Sequence, residues 1–174
     1  FPESLKRAKY CSDLLVHMSE KYSKPVNMSD FFLNETQAQL QKALFGFSDE
    51  FEEKTNKRIR NVFVGIETEY LSEFSELALK ETMKSNGPAS KLFHKTKDIE
   101  KSIGNIILFA FAGHDTTGHT LTWLLYELCK NPKYKEKLIQ EIEENIEPIE
   151  LEEIPEKTFD VDGFTLTSPA SSFT

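Results

Sequence analysis

The chain has 174 residues, 39% of them hydrophobic and 14 of them Phe, which is enough to bury a core and too apolar for global disorder. Its net charge is −8, yet the run Glu141–Glu156 alone holds eight Glu and no basic residue, so the remainder is formally neutral. That distribution excludes a basic nucleic-acid surface, and the run itself reads as a solvated helix end and linker. The two cysteines, Cys11 and Cys129, lie outside any CxxC or Cys/His cluster and fit free thiols in a reducing setting. No run of 18 apolar residues spans a bilayer, and "FPESLKRAKY" carries no signal-like apolar block.

In chain order, "SLKRAKYCSDLLVHMSEKYS" predicts a helix with an apolar stripe at Leu5, Ala8, Leu14, Leu15 and Met18, closed by Pro25. A second helix starts near Ser29 or Asp30 as N-cap and ends at Gly46. The charged "SDEFEEKTNKRIR" reads as a connector or exposed turn. From Val62 to Ser85, Val62, Phe63, Ile66, Tyr70, Phe74, Leu77 and Leu79 approximate a helical period, so one or two helices are expected. "SNGPAS" is a loop, because Asn-Gly-Pro cannot continue a helix.

A long helix is then expected from Asp98 to Lys130, roughly 50 Å at 1.5 Å per residue. Asn131-Pro132 stops it and starts the next helix, with Asn131 as N-cap and Pro132 at the first helical position. Tyr134, Leu138, Ile142 and Ile146 form a stripe facing a core. Beyond Pro148, "KTFDVDGFTLTS" alternates around an Asp-Gly turn and predicts a short hairpin; the final "SPASSFT" is a loose tail.

The long helix contains a conflict. "FAGHDTTGHT", Phe111 to Thr120, is polar and glycine-bearing between two apolar flanks. Gly inside a helix costs about 1 kcal/mol relative to Ala. Threonine hydroxyls here bond to the carbonyl four residues back, Thr116 to Ala112 and Thr117 to Gly113, which bends a helix. A local conflict in an otherwise consistent element marks a functional or strained site. Gly113 lets a flat ligand approach the backbone, Thr116 supplies a hydroxyl, and Asp115 supplies a carboxylate that exchanges protons. The competing reading is a close helix crossing. A zinc pair from His114 and His119 fails on spacing, since five residues turn them about 140° apart. Asp115 and His119, four apart, can pair. No glycine-rich phosphate loop occurs.

The stretch Ala112-Gly113-His114-Asp115-Thr116-Thr117 resembles the (A/G)-G-x-(D/E)-T-(T/S) signature of the cytochrome P-450 family of haem-thiolate monooxygenases. The continuation "LTWLLYELCKNPKYKEKLIQEIEE" is similar to the family's end of the central helix, its break and the next helix. "FPESLKRAKYCSDLL" resembles the segment after the third helix, and "VNMSDFFLNETQAQLQKALFGF" the fifth-helix region. The likeness implies a mainly α chain: an incomplete cytochrome P-450 fold with a long central helix and a short C-terminal β turn. Residues 1–147 would form its helical region, and 148–174 an acidic linker, strand turn and tail.

The resemblance also implies roles. Ala112 and Gly113 would lie against the haem, Thr116 would hold dioxygen and its water, Asp115 would feed protons for O–O cleavage, and Thr117 would support a helix bulge. Dioxygen, an apolar small-molecule substrate and a reductase as redox partner come with the family. Two family patterns are missing from the sequence. No cysteine follows Cys129, so the F-x-x-G-x-R-x-C-x-G ligand loop does not occur. Arg7, Arg58 and Arg60 are the only arginines, and none completes an E-x-x-R. "TFDVDGFTLTS" resembles a strand turn that the family places later, as though residues between Glu153 and Phe159 were skipped. The expectation is an inactive fragment of a monooxygenase, with a non-enzymatic helical interaction module as the alternative.

Overall fold

The computed structural model describes residues 2–22, 25–146, 157–161 and 164–168, with side chains over 4–20 and 25–146. The acidic run after Ile146, the Asp162-Gly163 turn and the tail from Pro169 lie outside the described residues. The described part is mainly helical, and it groups into two compact units, Asn27–Tyr126 and Phe1–Val26 with Glu127–Thr174.

In the unit Asn27–Tyr126, α2 (Met28–Leu40) begins one turn earlier than expected. Asn27 is the N-cap, its side chain accepting the Asp30 N–H at 3.2 Å, so Ser29 and Asp30 are already helical. The helix widens into a π-helical turn, Gln41–Phe45, and stops at Gly46, which takes the left-handed φ of 70° that favours glycine. Ser85 Oγ donates to the Phe45 carbonyl at 2.7 Å and holds this corner.

The segment expected to be a connector is helix α3 (Asp49–Phe63). Ser48 caps it by accepting the Phe51 N–H at 3.3 Å, and Asp49, Glu50 and Glu52 place negative charge at the positive end of the helix dipole. Its buried stripe is Glu52, Thr55, Asn56, Ile59 and Val62, at helical spacing but largely polar. These groups find partners. Asn56 Nδ2 donates to Glu52 Oε1 (2.7 Å) and to the Asn34 carbonyl (3.0 Å). Thr55 Oγ1 donates to the Phe51 carbonyl (2.7 Å) and also contacts Gln41 Oε1 (3.3 Å). Arg60 reaches α2 and its own helix at once, through Asp30 Oδ1 (2.7 Å), Asn34 Oδ1 (3.3 Å) and Asn56 Oδ1 (2.9 Å).

A turn follows, in which Glu67 (φ 54°) is held by Arg58 Nε (3.1 Å) and Asn61 Nδ2 (3.2 Å). Their hydrogen bonds hold the Glu67 carboxyl below the usual carboxylate range. Helix α4 (Tyr70–Lys84) ends at the expected break. Pro88 then opens a further short helix, α5 (Pro88–Thr96), so the loop is only 85–87. Phe45, Phe47, Ile59, Val62, Tyr70, Phe74, Ala78, Ala89, Phe93, Ile106 and Ala110 form the core of this unit.

Helix α6 (Ile99–Lys130) is continuous over 32 residues, within one residue of the expected start and with the expected end. Asp98 caps it, accepting the Lys101 N–H at 3.0 Å, and that bond above all keeps the Asp98 carboxyl below the usual range.

In the other unit, α1 (Pro2–Tyr22) buries Tyr10, Cys11 and Leu14, while Ala8 of the expected stripe is exposed. Helix α7 (Pro132–Asn145) has Asn131 at its N-cap, but the Asn131 side chain turns back to the Glu127 carbonyl (2.9 Å) and does not cap. The stripe expected to face a core is uncovered among the described residues: none of α7 is buried, and Tyr134, Leu138, Ile142 and Ile146 are 63%, 37%, 45% and 57% exposed. Strands β1 (Lys157–Val161) and β2 (Phe164–Ser168) pair antiparallel, Val161 opposite Phe164, as the alternation predicts.

Candidate active-site face of the central helix

The buried residues of α6 fall at steps of four: Ser102, Ile106, Ala110, His114 and Gly118. Each step of four advances about 40° around the helix, so the covered stripe winds slowly. Through the motif it meets α2. A Cβ at Gly113 would sit 2.9 Å from Leu40 Cδ2, and one at Gly118 2.8 Å from Leu33 Cδ2 and 3.1 Å from Leu33 Cα. Between these contacts Thr36 Oγ1 lies 3.1 Å from the His114 carbonyl. The two glycines therefore make room for a helix crossing, with Leu33, Thr36 and Leu40 seated on α6.

The other side of the same turns is open. Ala112 and Thr116 are exposed and Asp115 is half-buried. Ala112, Asp115, Thr116 and His119 fall within about 100° of arc. Thr116 Oγ1 donates to the Ala112 carbonyl at 2.9 Å, as expected; the Thr117 hydroxyl makes no corresponding bond among the described residues. Thr120 Oγ1 donates to the Thr116 carbonyl at 2.8 Å. The His119 Nδ1 lies 2.8 Å from the Asp115 carbonyl and 3.4 Å from Asp115 Oδ1, so acid and imidazole share this face. The carbonyl is the hydrogen-bond partner; the carboxylate oxygen, at 3.4 Å, is a longer contact than an ordinary N–H···O bond. Exposed Leu108 and Trp123 flank the group one and two turns away.

His114 is a different case. It is buried, its ring stacked on Phe63 with centroids 5.3 Å apart and planes at 25°. Its Nδ1 lies 2.9 Å from the Ala110 carbonyl, which fixes the proton on Nδ1. Burial pushes the imidazole below the usual histidine range and nearby Arg60 adds to this, against the opposing pull of the Ala110 bond and Asp115. His114 and His119 thus occupy opposite sides of the helix. Among the described residues no group of three or more His, Cys, Asp or Glu is placed to hold a metal ion.

The sequence pointed to this stretch through Asp115, Thr116 and the glycines, but not to the residues packed against it: Leu33, Thr36, Leu40 and Phe63. The spacing of Leu33, Thr36 and Leu40 along one face of α2 was the available signal.

Fold and site together define a mainly α-helical protein organised on one long helix whose open face carries an acid, a hydroxyl and a small residue. A family model for cytochrome P450 matches residues 1–158, and the chain belongs to that family of haem-dependent monooxygenases. Cytochrome P450 4F11 of Homo sapiens is 51% identical over 47 residues, 25% of this chain and 9% of that protein. Cytochrome P450 4F3 of Rattus norvegicus is 50% identical over 46 residues, 26% of this chain and 9% of that protein. A protein named ultra-long-chain fatty acid omega-hydroxylase, of Homo sapiens, is 48% identical over 46 residues, again 26% and 9%. The match spans about a tenth of the length of these relatives. No solved structure matches the chain.

The family's cofactor is haem. The open face fits one side of such a group. At Ala112 and Thr116 it carries only a methyl and a small hydroxyl side chain, with Asp115 and His119 beside them and exposed Leu108 and Trp123 at either end. A ligand loop of the cysteine type does not occur in the 174 residues.

Proposed function

We propose that the open face of α6 is the oxygen-activating side of a haem-dependent monooxygenase that inserts oxygen into an apolar small molecule, with electrons delivered by a reductase. The observation that carries this reading is the division of the motif. The α2 crossing takes the Cβ positions of Gly113 and Gly118, while Ala112, Asp115 and Thr116 stay open together.

Haem supplies the iron at which dioxygen is activated. The chain's own residues would shape the space on one side of that group. Ala112 presents a methyl to the flat face, and Gly113 beside it allows α6 to sit close on α2. Thr116 Oγ1 gives its proton to the Ala112 carbonyl in this structure, which turns its lone pairs outward as acceptors for a water. Asp115, the preceding residue, offers a carboxyl group on the same face, the kind of group that relays protons in general acid catalysis. Thr117 falls about 100° around the helix from Thr116, between Gly113 and His114, and so takes no part in this face. Exposed Leu108, Phe109, Phe111 and Trp123 supply apolar surface for a substrate. The omega-hydroxylase names of similar proteins support a long aliphatic chain as its class.

The test is kinetic and uses the complete haem-loaded protein. Asp115→Asn is expected to slow substrate oxidation about 10²-fold, the scale of one general acid, and to enlarge the solvent isotope effect. Turnover and isotope effect both at the wild-type level overturn the assignment. The 174-residue chain alone is expected to give no thiolate-type band in the reduced carbon-monoxide difference spectrum; such a band would show that one of its two cysteines ligates iron.

A second reading, a helical interaction module, is favoured by the uncovered apolar stripe of α7. A monodisperse chain that melts cooperatively without haem would support it.

A further inference from the structure

We propose that His114 is a positioning residue. With Thr36 and Phe63 it locks the rotation of α6 about its own axis, and so sets the direction in which Asp115 and Thr116 point. The proposal rests on the reading of that face as oxygen-activating.

The need for a lock follows from the crossing. Gly113 and Gly118 present no side chain to α2, and Ala110 and Ile106 before them are buried and apolar, with no polar group to bond across. Contacts of this kind hold two helices close but resist rolling weakly. A roll of about 20° moves a side-chain end at the helix surface by about 2 Å. Misplacement by 1 Å costs on the order of 10²-fold in a reaction that depends on alignment. Directional contacts at this turn are therefore worth more to the open face than to stability.

His114 supplies them on three sides. Its Nδ1 bond to the Ala110 carbonyl (2.9 Å) fixes the ring's orientation on α6. The ring then stacks on Phe63 of α3, whose edge also meets Phe111 (5.3 Å, 66°). Its carbonyl lies 3.1 Å from Thr36 Oγ1 of α2. That hydroxyl is also 2.9 Å from the Phe32 carbonyl and 3.3 Å from that of Leu33, so a single proton is shared among three acceptors. One residue thus ties α6 to both α2 and α3, immediately before Asp115.

The lock depends on a neutral ring. A second proton, on Nε2, puts charge into a buried place near Arg60 of α3, which is itself paired with Asp30 of α2. On its own helix, Asp115 opposes that charge and His119 lies beyond it. Leu33, Thr36 and Leu40, which α2 sets against this turn, do not titrate.

Amide hydrogen exchange on the full chain tests the idea, read as protection factors at residues 113–119 with α4 as internal reference. Thr36→Val is expected to lower protection there about tenfold, the scale of one hydrogen bond, with α4 unchanged and Thr36→Ser restoring it. Wild-type protection at 113–119 is expected to fall as pH drops below about 6.5, the ordinary histidine value. His114→Phe keeps a ring against Phe63 and should abolish that pH dependence, and His119→Gln should leave it in place. Should His114→Phe not fold, the Thr36 pair and the wild-type pH profile decide. An equal loss of protection in every helix, or none in Thr36→Val, overturns the lock. In the complete haem-loaded protein Thr36→Val should lower kcat with KM unchanged; a change in KM alone overturns positioning. If Asp115→Asn proves silent while the exchange pattern holds, the functional reading has failed and the lock has not.

Discussion

At the scale of single residues, two glycines that look equivalent do different amounts of work. An added methyl at Gly113 meets only the branched end of Leu40, which can rotate away. At Gly118 it meets Leu33 Cα at 3.1 Å as well, so the main chain of α2 must move. Ala is the better helix former by about 1 kcal/mol, and this gain competes with each clash. Gly113→Ala is expected to be neutral within about 1 kcal/mol. Gly118→Ala should destabilise by about 1–3 kcal/mol, the usual cost of overpacking. Urea midpoints of the two variants check the order; Gly118→Ala as stable as wild type would show that α2 yields freely. The motif was legible as an anomaly from residue types alone. Which side of it would be covered was not, because a small residue serves a helix crossing and a ligand equally well.

At the scale of elements, α3 shows where periodicity misleads. Its cap, its acidic first turn and its spacing are all helical, yet its buried stripe is mostly polar, so apolar patterning passed it over. The stripe is tolerable because α2 and the π-helical turn supply partners that no local window contains. Arg60 is the centre of that exchange, with bonds to Asp30, Asn34 and Asn56, its side chain 13% exposed. Arg60→Met should cost about 1–2 kcal/mol, since it strands acceptors on two helices, discounted because Asp30 is half in water. Arg60→Lys should recover little, because an ammonium lacks the planar fork that reaches them together. Chemical denaturation of both variants is the measurement, and a full rescue by Lys would reduce the network to simple charge.

At the scale of the whole molecule, apolar surface is left uncovered among the described residues. On α6, Leu108, Phe109, Phe111, Trp123, Leu124 and Tyr126 are each at least 45% exposed, and α7 adds its own stripe. Exposed apolar surface on either helix favours association. The chain is expected to self-associate in a concentration-dependent way by sedimentation, and Leu138→Lys with Ile142→Lys should shift it toward monomer. A wild-type chain that stays monomeric at high concentration would contradict this.

The sequence by itself determined the existence and length of α6, its stop at Asn131-Pro132, the antiparallel strand pair and the oddity of residues 111–120. Each of these rests on local rules: apolar period, proline's missing N–H and the helix cost of glycine. Only the tertiary structure decided that α3 is a helix, that the α7 stripe is uncovered, that His114 is buried while His119 is open, and that Gly113 and Gly118 serve the crossing. Those outcomes depend on which surface meets which. A polar stripe is stable only beside its partners, and a helix face is open only when nothing packs on it. Distant residues, here Leu33, Thr36, Leu40 and Phe63, settle that question for Asp115 and Thr116.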